Sequence, residues 1–169
     1  MNKKINEELL SDKRFKIDSY ALNNHLQISK IISYEIVNIP VGSILRQKNN
    51  RIFNIKYSDP SMYLQTKNID EYNKYCKHLT VKGDKEHHNI EIFNELIKSI
   101  DKEDYDISKG IIVINQLNII MDGQHRAAII LNKYGEDFVI PVLRIKYSRL
   151  GIRTLFNYLR YKIKKQVFR

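Results

Sequence analysis

Apolar residues recur along this chain with two distinct periods. In 90–100, IEIFNELIKSI, the residues Ile90, Phe93, Ile97 and Ile100 share one stripe with Leu96 beside it, the roughly 3.6-residue period of an amphipathic helix. The segment 34–39, YEIVNI, alternates and stops at Pro40, which predicts a strand, and 51–57 predicts a second. Gly110 closes a polar turn. After it, 111–114 (IIVI) reads as a short buried strand, and 118–121 (NIIM) reads as another beyond a turn at Asn115 and Gln116. Residues 122–133 predict a helix and 138–145 a strand, in which Pro141 suggests an edge position or the first paired residue. Asp59, Pro60 and Ser61 mark a turn, and 61–79 carries Asp70 ahead of a short aromatic helix with Tyr72 and Tyr75, rings suited to core packing or to substrate contact. Residues 1–33 form a polar, helical or irregular lead-in. The order is mixed α and β, too irregular for a doubly wound sheet, so the expected class is α+β.

Composition narrows this picture. A length of 169 residues suits one domain, and 43% hydrophobic residues can fill a core. The single cysteine, Cys76, allows neither an intrachain disulfide nor a thiolate zinc site, and the first residues show no signal-peptide-like apolar run. The cytosol is therefore the expected compartment. No stretch reaches the roughly 18 uninterrupted apolar residues of a membrane-spanning helix.

The formal charge is +10, but it is unevenly placed. Nine basic residues and no acid lie in 144–169, which leaves 20 basic against 19 acidic residues, a net of +1, in 1–143. An anionic partner is thus expected for the tail alone. From Ile152 the tail sets Ile152, Leu155, Phe156, Leu159, Ile163 and Val167 at helical spacing with basic residues opposite. Three readings follow: a last helix docked on the core, a helix lying in the headgroup region of an anionic membrane, or a contact with nucleic acid.

The most specific segment is IIMDGQHRAAIIL, where a buried strand runs through Asp122, Gly123, Gln124, His125 and Arg126 into an apolar helix. Gly123 permits a tight turn, the opening helix offers backbone N–H groups and a positive dipole end, and His125 and Arg126 add donors. Such a junction suits phosphate. Asp122 beside it could hold Mg²⁺ or accept a proton from a hydroxyl. The structural alternative is that Asp122 caps the helix and Arg126 pairs with it.

With these residues in view, 86–142 resembles the ParB/sulfiredoxin fold superfamily over about a third of the chain, with weaker similarity back to the strands around Ile36 and Ile55. The resemblance implies a mixed sheet with flanking helices over 34–147, after the lead-in 1–33 and before a basic amphipathic helix in 148–169. DGQHR is similar to the DGHHR of free-serine kinases, which use a nucleotide phosphoryl donor and Mg²⁺. Short stand-alone members resembling this chain occur beside polysaccharide-biosynthesis genes. Two departures matter. Sulfiredoxins carry a catalytic cysteine where this chain has Gln124, which argues against sulfinic-acid repair. Partition ParB proteins have a GERR-type box and continue into a helix-turn-helix domain, for which the 24 residues after Ile145 are too few.

The kinase-like branch implies a carboxylate in the loop before the 90–100 helix. Glu86 stands there as general base, with His87 and His88 placed to bind substrate; a solvated polar loop is the alternative. The expected activity is a nucleotide-dependent small-molecule phosphotransferase or nucleotide hydrolase, acting in surface-polysaccharide biosynthesis. Gly123, Gln124, His125 and Arg126 would bind phosphates of a nucleoside di- or triphosphate, Asp122 and His125 would assist catalysis, and Asp122 would be the Mg²⁺ ligand. The acceptor would be a small hydroxylated molecule, and the tail would hold the protein at the inner face of the membrane. The rival reading is a non-catalytic ParB-like nucleotide- or DNA-binding module; the near-neutral body disfavours DNA.

Overall fold

The computed structural model describes residues 2–18, 26, 30–81 and 90–167. It has α1 (Asn2–Ser11), β1 (Ile31–Pro40), β2 (Leu45–Lys48), β3 (Arg51–Asn54), α2 (Asp59–Thr66), α3 (Ile69–Val81) and α4 (Ile90–Glu103). β4 (Val113–Asn115), β5 (Ile120–Asp122), α5 (Gln124–Tyr134), β6 (Val139–Tyr147) and α6 (Ile152–Val167) follow.

Four strands form a mixed sheet in the order β1-β6-β4-β5. β1 and β6 are antiparallel from Ile31↔Tyr147 to Pro40↔Val139, β4 runs parallel to β6, and β5 returns antiparallel to β4. The apolar run 111–114 is explained by this position. Ile111 and Val113 face one side, joining Leu9, Phe15, Leu143 and Ile145, while Ile112 and Ile114 face the other, joining Ile130, Ile140 and Val142. A strand covered on both faces has no polar side to alternate with. The lead-in supplies one of those covers, since Leu9 of α1 and Phe15 pack on the sheet.

Helix α5 covers the opposite face. Ala127, Ile130 and Leu131 meet the sheet, whereas Ala128 and Ile129 meet the α2–α4 layer through Leu64, Tyr72 and Phe93. Sandwiching the helix between two layers buries five consecutive residues and accounts for its apolar sequence.

One strand has no counterpart in the sequence reading, and several expectations are corrected. The segment 45–48, LRQK, forms β2, paired with β3 through a two-residue turn at Asn49 and Asn50 with φ of 49° and 60°. Positive φ at both central residues is the turn that matches strand twist, and asparagine tolerates it. The strand expected over 51–57 stops at Asn54, whose side chain accepts the Lys56 N–H and turns Ile55–Tyr57 into a 3₁₀ helix. Asp59, Pro60 and Ser61 begin α2 rather than a turn, because Ser58 caps it by accepting the Ser61 N–H at 3.4 Å and Pro60 sits in the first turn. Strand β6 is central in the sheet, yet Pro141 pairs only toward β1, at Asn38, since pairing with β4 begins at Leu143. Its missing N–H leaves no ladder bond unmade there.

Helix α6 docks by the face opposite its apolar stripe. Tyr158 and Tyr161 pack on Leu45, Ile52 and Ile119, Asn157 is buried, and Thr154 donates to Gln47. Ile152, Phe156, Leu159 and Ile163 are exposed. Among the described residues no helix is long and apolar enough to cross a membrane.

This arrangement separates two isoleucines that look equivalent in sequence. Ile130→Ala, in the core, is expected to cost about 2–5 kcal/mol. Ile163→Ala, in water, should change stability by less than about 0.5 kcal/mol. Urea midpoints of the two variants measure both; equal losses would mean that α6 buries its stripe.

Candidate functional site

The junction between β5 and α5 is fixed by Gly123. Its φ of 81° lies in the left-handed region, and a Cβ there would stand 3.0 Å from Ile112 Cα and Cγ1. A side chain there would be strained in its backbone and crowded against Ile112. Gly123, not Asp122, is the N-cap residue, so no side chain from that position caps the first turn, and its carbonyl accepts the Ala127 N–H at 3.0 Å. The N-terminal end of α5 therefore presents its positive dipole end at the point where the sheet stops.

The three residues that open α5 diverge. Gln124 is buried and donates through Nε2 to the Tyr75 hydroxyl at 3.2 Å, while its Oε1 is buried with no partner. His125 Nε2 lies 2.9 Å from the Tyr72 hydroxyl, and its ring stands edge-on to Phe93 with centroids 4.8 Å apart. Arg126 takes the remaining direction and lays its guanidinium against Gly110, where any Cβ would collide with it. Tyr105 lies in that neighbourhood and its hydroxyl accepts the Ile112 N–H at 2.8 Å. Burial pushes the Tyr105 phenol up to about 12, the Ile112 hydrogen bond and the Arg126 charge oppose the rise, and Asp122 adds to it.

Two cations approach from β2. Arg46 and Lys48 alternate with Leu45 and Gln47, which face α6, so the strand turns its basic side toward Tyr75. Lys48 pairs with Asp59 at 2.8 Å and holds its ammonium 5.6 Å from the Tyr75 ring centre. Burial pushes the Tyr75 phenol up to about 12, against the opposing effect of the Arg46 charge. Arg46 Nε is buried without a hydrogen-bond partner. An unfilled acceptor on Gln124 and an unfilled donor on Arg46 thus belong to side chains that both act on Tyr75. Burying such groups unpaired costs roughly 1–3 kcal/mol each, which a polar ligand can recover.

The structure brings together Asp122, Gly123, Gln124, His125 and Arg126 in one turn, as the sequence places them. Glu86, His87 and His88 lie outside the described residues. Phe93, in the first turn of α4, touches His125, so α4 begins beside the motif. Tyr72 and Tyr75 bear out the core-packing reading of the aromatic helix, since their rings are buried in the core, while their hydroxyls engage the motif. Sequence reasoning missed Arg46, Lys48, Tyr105 and the role of Gly110. The alternation in 45–48 was the available signal for the first two.

Among the described residues no group of three or more His, Cys, Asp or Glu side chains could hold a metal ion alone. Asp122 offers one carboxylate, and an ion such as Mg²⁺, which usually keeps several waters, needs only one or two from the protein. No family model, no curated protein and no solved structure matches this chain.

The tyrosines around the motif make stability sensitive to alkali. Tyr72, Tyr75 and Tyr105 are all raised above the ordinary phenol value of 10, chiefly by burial. A raised folded value means full stability below about pH 10 and loss as pH climbs toward 12, because the unfolded chain then releases protons that the folded chain keeps. Urea midpoints should be flat from neutral pH to about pH 9 and fall above about pH 10, less steeply in Tyr75→Phe. A midpoint unchanged at about pH 11 would contradict the burial of these phenols.

Proposed function

We propose that this chain is a nucleotide-dependent phosphotransferase of the ParB/serine-kinase-like kind, holding nucleotide phosphates at the N-terminal end of α5. The single observation that carries the reading is the Gly123-opened helix end with cationic side chains around it and unfilled polar groups on Gln124 and Arg46. A parallel β4–β6 pair and a strand leading through Asp122 and Gly123 into a buried helix are consistent with the superfamily resemblance.

In this reading, backbone N–H groups of the first turn of α5 and the Arg126 guanidinium hold the phosphates, and Arg46 and Lys48 neutralise charge. Gln124 and His125, fixed by Tyr75 and Tyr72, set the shape of the phosphate seat. The acceptor is a small hydroxylated molecule, a sugar or polyol, bound through His87 and His88. Its hydroxyl oxygen attacks the terminal phosphorus, the bond from that phosphorus to the bridging oxygen breaks, and the shortened nucleotide leaves. The hydroxyl proton passes to the Glu86 carboxylate, while Asp122 orients the hydroxyl. Mg²⁺, held by Asp122 and phosphate oxygens, would supply further charge neutralisation. Surface-polysaccharide assembly is a setting in which such a product would be used.

Calorimetric titration with ATP, ADP, CTP and GTP in the presence of Mg²⁺ tests the site. Wild type should bind at least one of them. Arg126→Ala and Gly110→Ala should each weaken that binding about tenfold or more, by removing the guanidinium or displacing it. The atoms nearest to a Cβ at Gly110 are the flexible end of Arg126, so melting should stay close to wild type. With sugars or polyols added, Glu86→Gln should lower phosphoryl transfer by about a hundredfold or more. A folded wild type that binds no nucleotide refutes the reading; binding without transfer or hydrolysis identifies a non-catalytic nucleotide-binding module instead.

A further inference from the structure

Helix α6 is two-sided in a way that its role as a docked helix does not explain. It rests on the β2–β3 hairpin through Thr154, Asn157, Tyr158 and Tyr161. Half a turn away, Ile152, Leu155, Phe156, Leu159 and Ile163 form a continuous stripe in water, 41% to 87% exposed. Five large apolar side chains in one exposed stripe mark a surface that something covers. Arg153, Arg160 and Lys164 line one border of the stripe and Lys162 the other, and α6 contains no acidic residue. The Arg160 guanidinium lies 5.4 Å from the Phe156 ring centre.

A second observation stands on the basic border. Between the hairpin tip and α6 lies a groove of about 480 Å³ lined by Arg51, Arg160, Lys164 and Asn157, with no acidic residue in its lining. Asn157 is 6% exposed, and its Nδ2 is buried with no hydrogen-bond partner. A buried donor left unfilled beside three cations suits a phosphate oxygen. Arg160 and Lys164 belong both to this groove and to the border of the stripe. An anion held in the groove therefore lies beside the apolar surface.

We propose that α6 and the β2–β3 hairpin together form a docking face for an anionic phospholipid bilayer. The stripe enters the boundary between headgroups and acyl chains, and the groove receives a lipid phosphate. Charge argues against a second copy of this chain as the cover. Packing two α6 stripes together would bring the bordering Arg153, Arg160, Lys162 and Lys164 of each copy against their like, with no acid in either helix. Nucleic acid offers phosphate for the groove but nothing for five apolar side chains. A bilayer of anionic lipid satisfies both. The inference is independent of the nucleotide reading, which concerns the other face of β2.

The test uses the full chain with sucrose-loaded vesicles, either phosphatidylcholine alone or phosphatidylcholine with about one third phosphatidylglycerol, at physiological salt. Cosedimentation is expected with the anionic vesicles only. The chain has no tryptophan, so Phe156→Trp provides a single reporter whose emission should shift to the blue on those vesicles, whereas Leu10→Trp, on exposed α1, should not shift. Leu159→Ser with Ile163→Ser should lower partitioning about tenfold without changing the melting temperature, since both residues are exposed. Arg51→Gln with Arg160→Gln and Lys164→Gln should do the same. Equal binding to neutral vesicles overturns the proposal, as does an unshifted Phe156→Trp spectrum. So does a wild-type dimer that the stripe substitutions dissociate, which would make the cover a second copy. Duplex DNA or inorganic phosphate binding in the groove while vesicles are ignored would assign it to those ligands instead. Nucleotide titration of the stripe variant should match wild type, so failure here and failure of the nucleotide site are read separately.

Discussion

Helix α5 has almost no side that faces water, and this constraint organises the molecule. Ala127, Ile130 and Leu131 are held by the sheet and Ala128 and Ile129 by the helical layer, so the helix can neither rotate nor slide without opening a core on both sides. Close packing of this kind transmits position to the ends of an element. The N-terminal end of α5 is consequently fixed close against Ile112, just ahead of β4, where Gly123 leaves no room for a Cβ without crowding. A polar turn placed there inherits the rigidity of two hydrophobic layers, which is what a site needs in order to hold ligand groups without reorganising.

From that anchored turn the side chains divide the surroundings among themselves. Gln124 reaches Tyr75, His125 reaches Tyr72 and Phe93, and Arg126 reaches the space that Gly110 leaves open. Gln124 and His125 are each steadied by an aromatic side chain whose ring belongs to the core. The aromatic helix α3 thus links packing to chemistry, because its buried rings stabilise the fold while their hydroxyls orient the residues of the turn. β2 completes the arrangement by presenting Arg46 and Lys48 on one side and Leu45 and Gln47 on the other.

Local signals made part of this legible in the sequence. The period of 90–100 identified α4, the double-sided apolar run 111–114 identified the neighbourhood of β4, and five polar or small residues between two apolar runs located the turn at Gly123. Other features depended on tertiary contacts that periodicity does not encode. β2 was missed because two of its four residues carry charge toward a partly buried site, a pattern that reads as loop. Asp59, Pro60 and Ser61 were read as a turn because helix starts and turns use the same residue types for the same backbone reason. The α6 stripe was visible as a stripe, but which face would dock was not. The opposite face, with Tyr158 and Tyr161, meets the hairpin, and the aliphatic stripe does not. Arg46, half a chain away from Arg126, could enter the site only once the fold was known.

A rigid helix end that receives phosphate is the central claim, and backbone amide NMR addresses it residue by residue. Titrating the ¹⁵N-labelled protein with Mg²⁺ and the nucleotide it binds should move the amide resonances of Gly123, Gln124, His125 and Arg126 together, along with the side-chain signals of Arg46 and Arg126. Shifts confined to Arg51, Asn157, Arg160 and Lys164, with the turn at Gly123 silent, would contradict it by placing the phosphates in the groove beside α6.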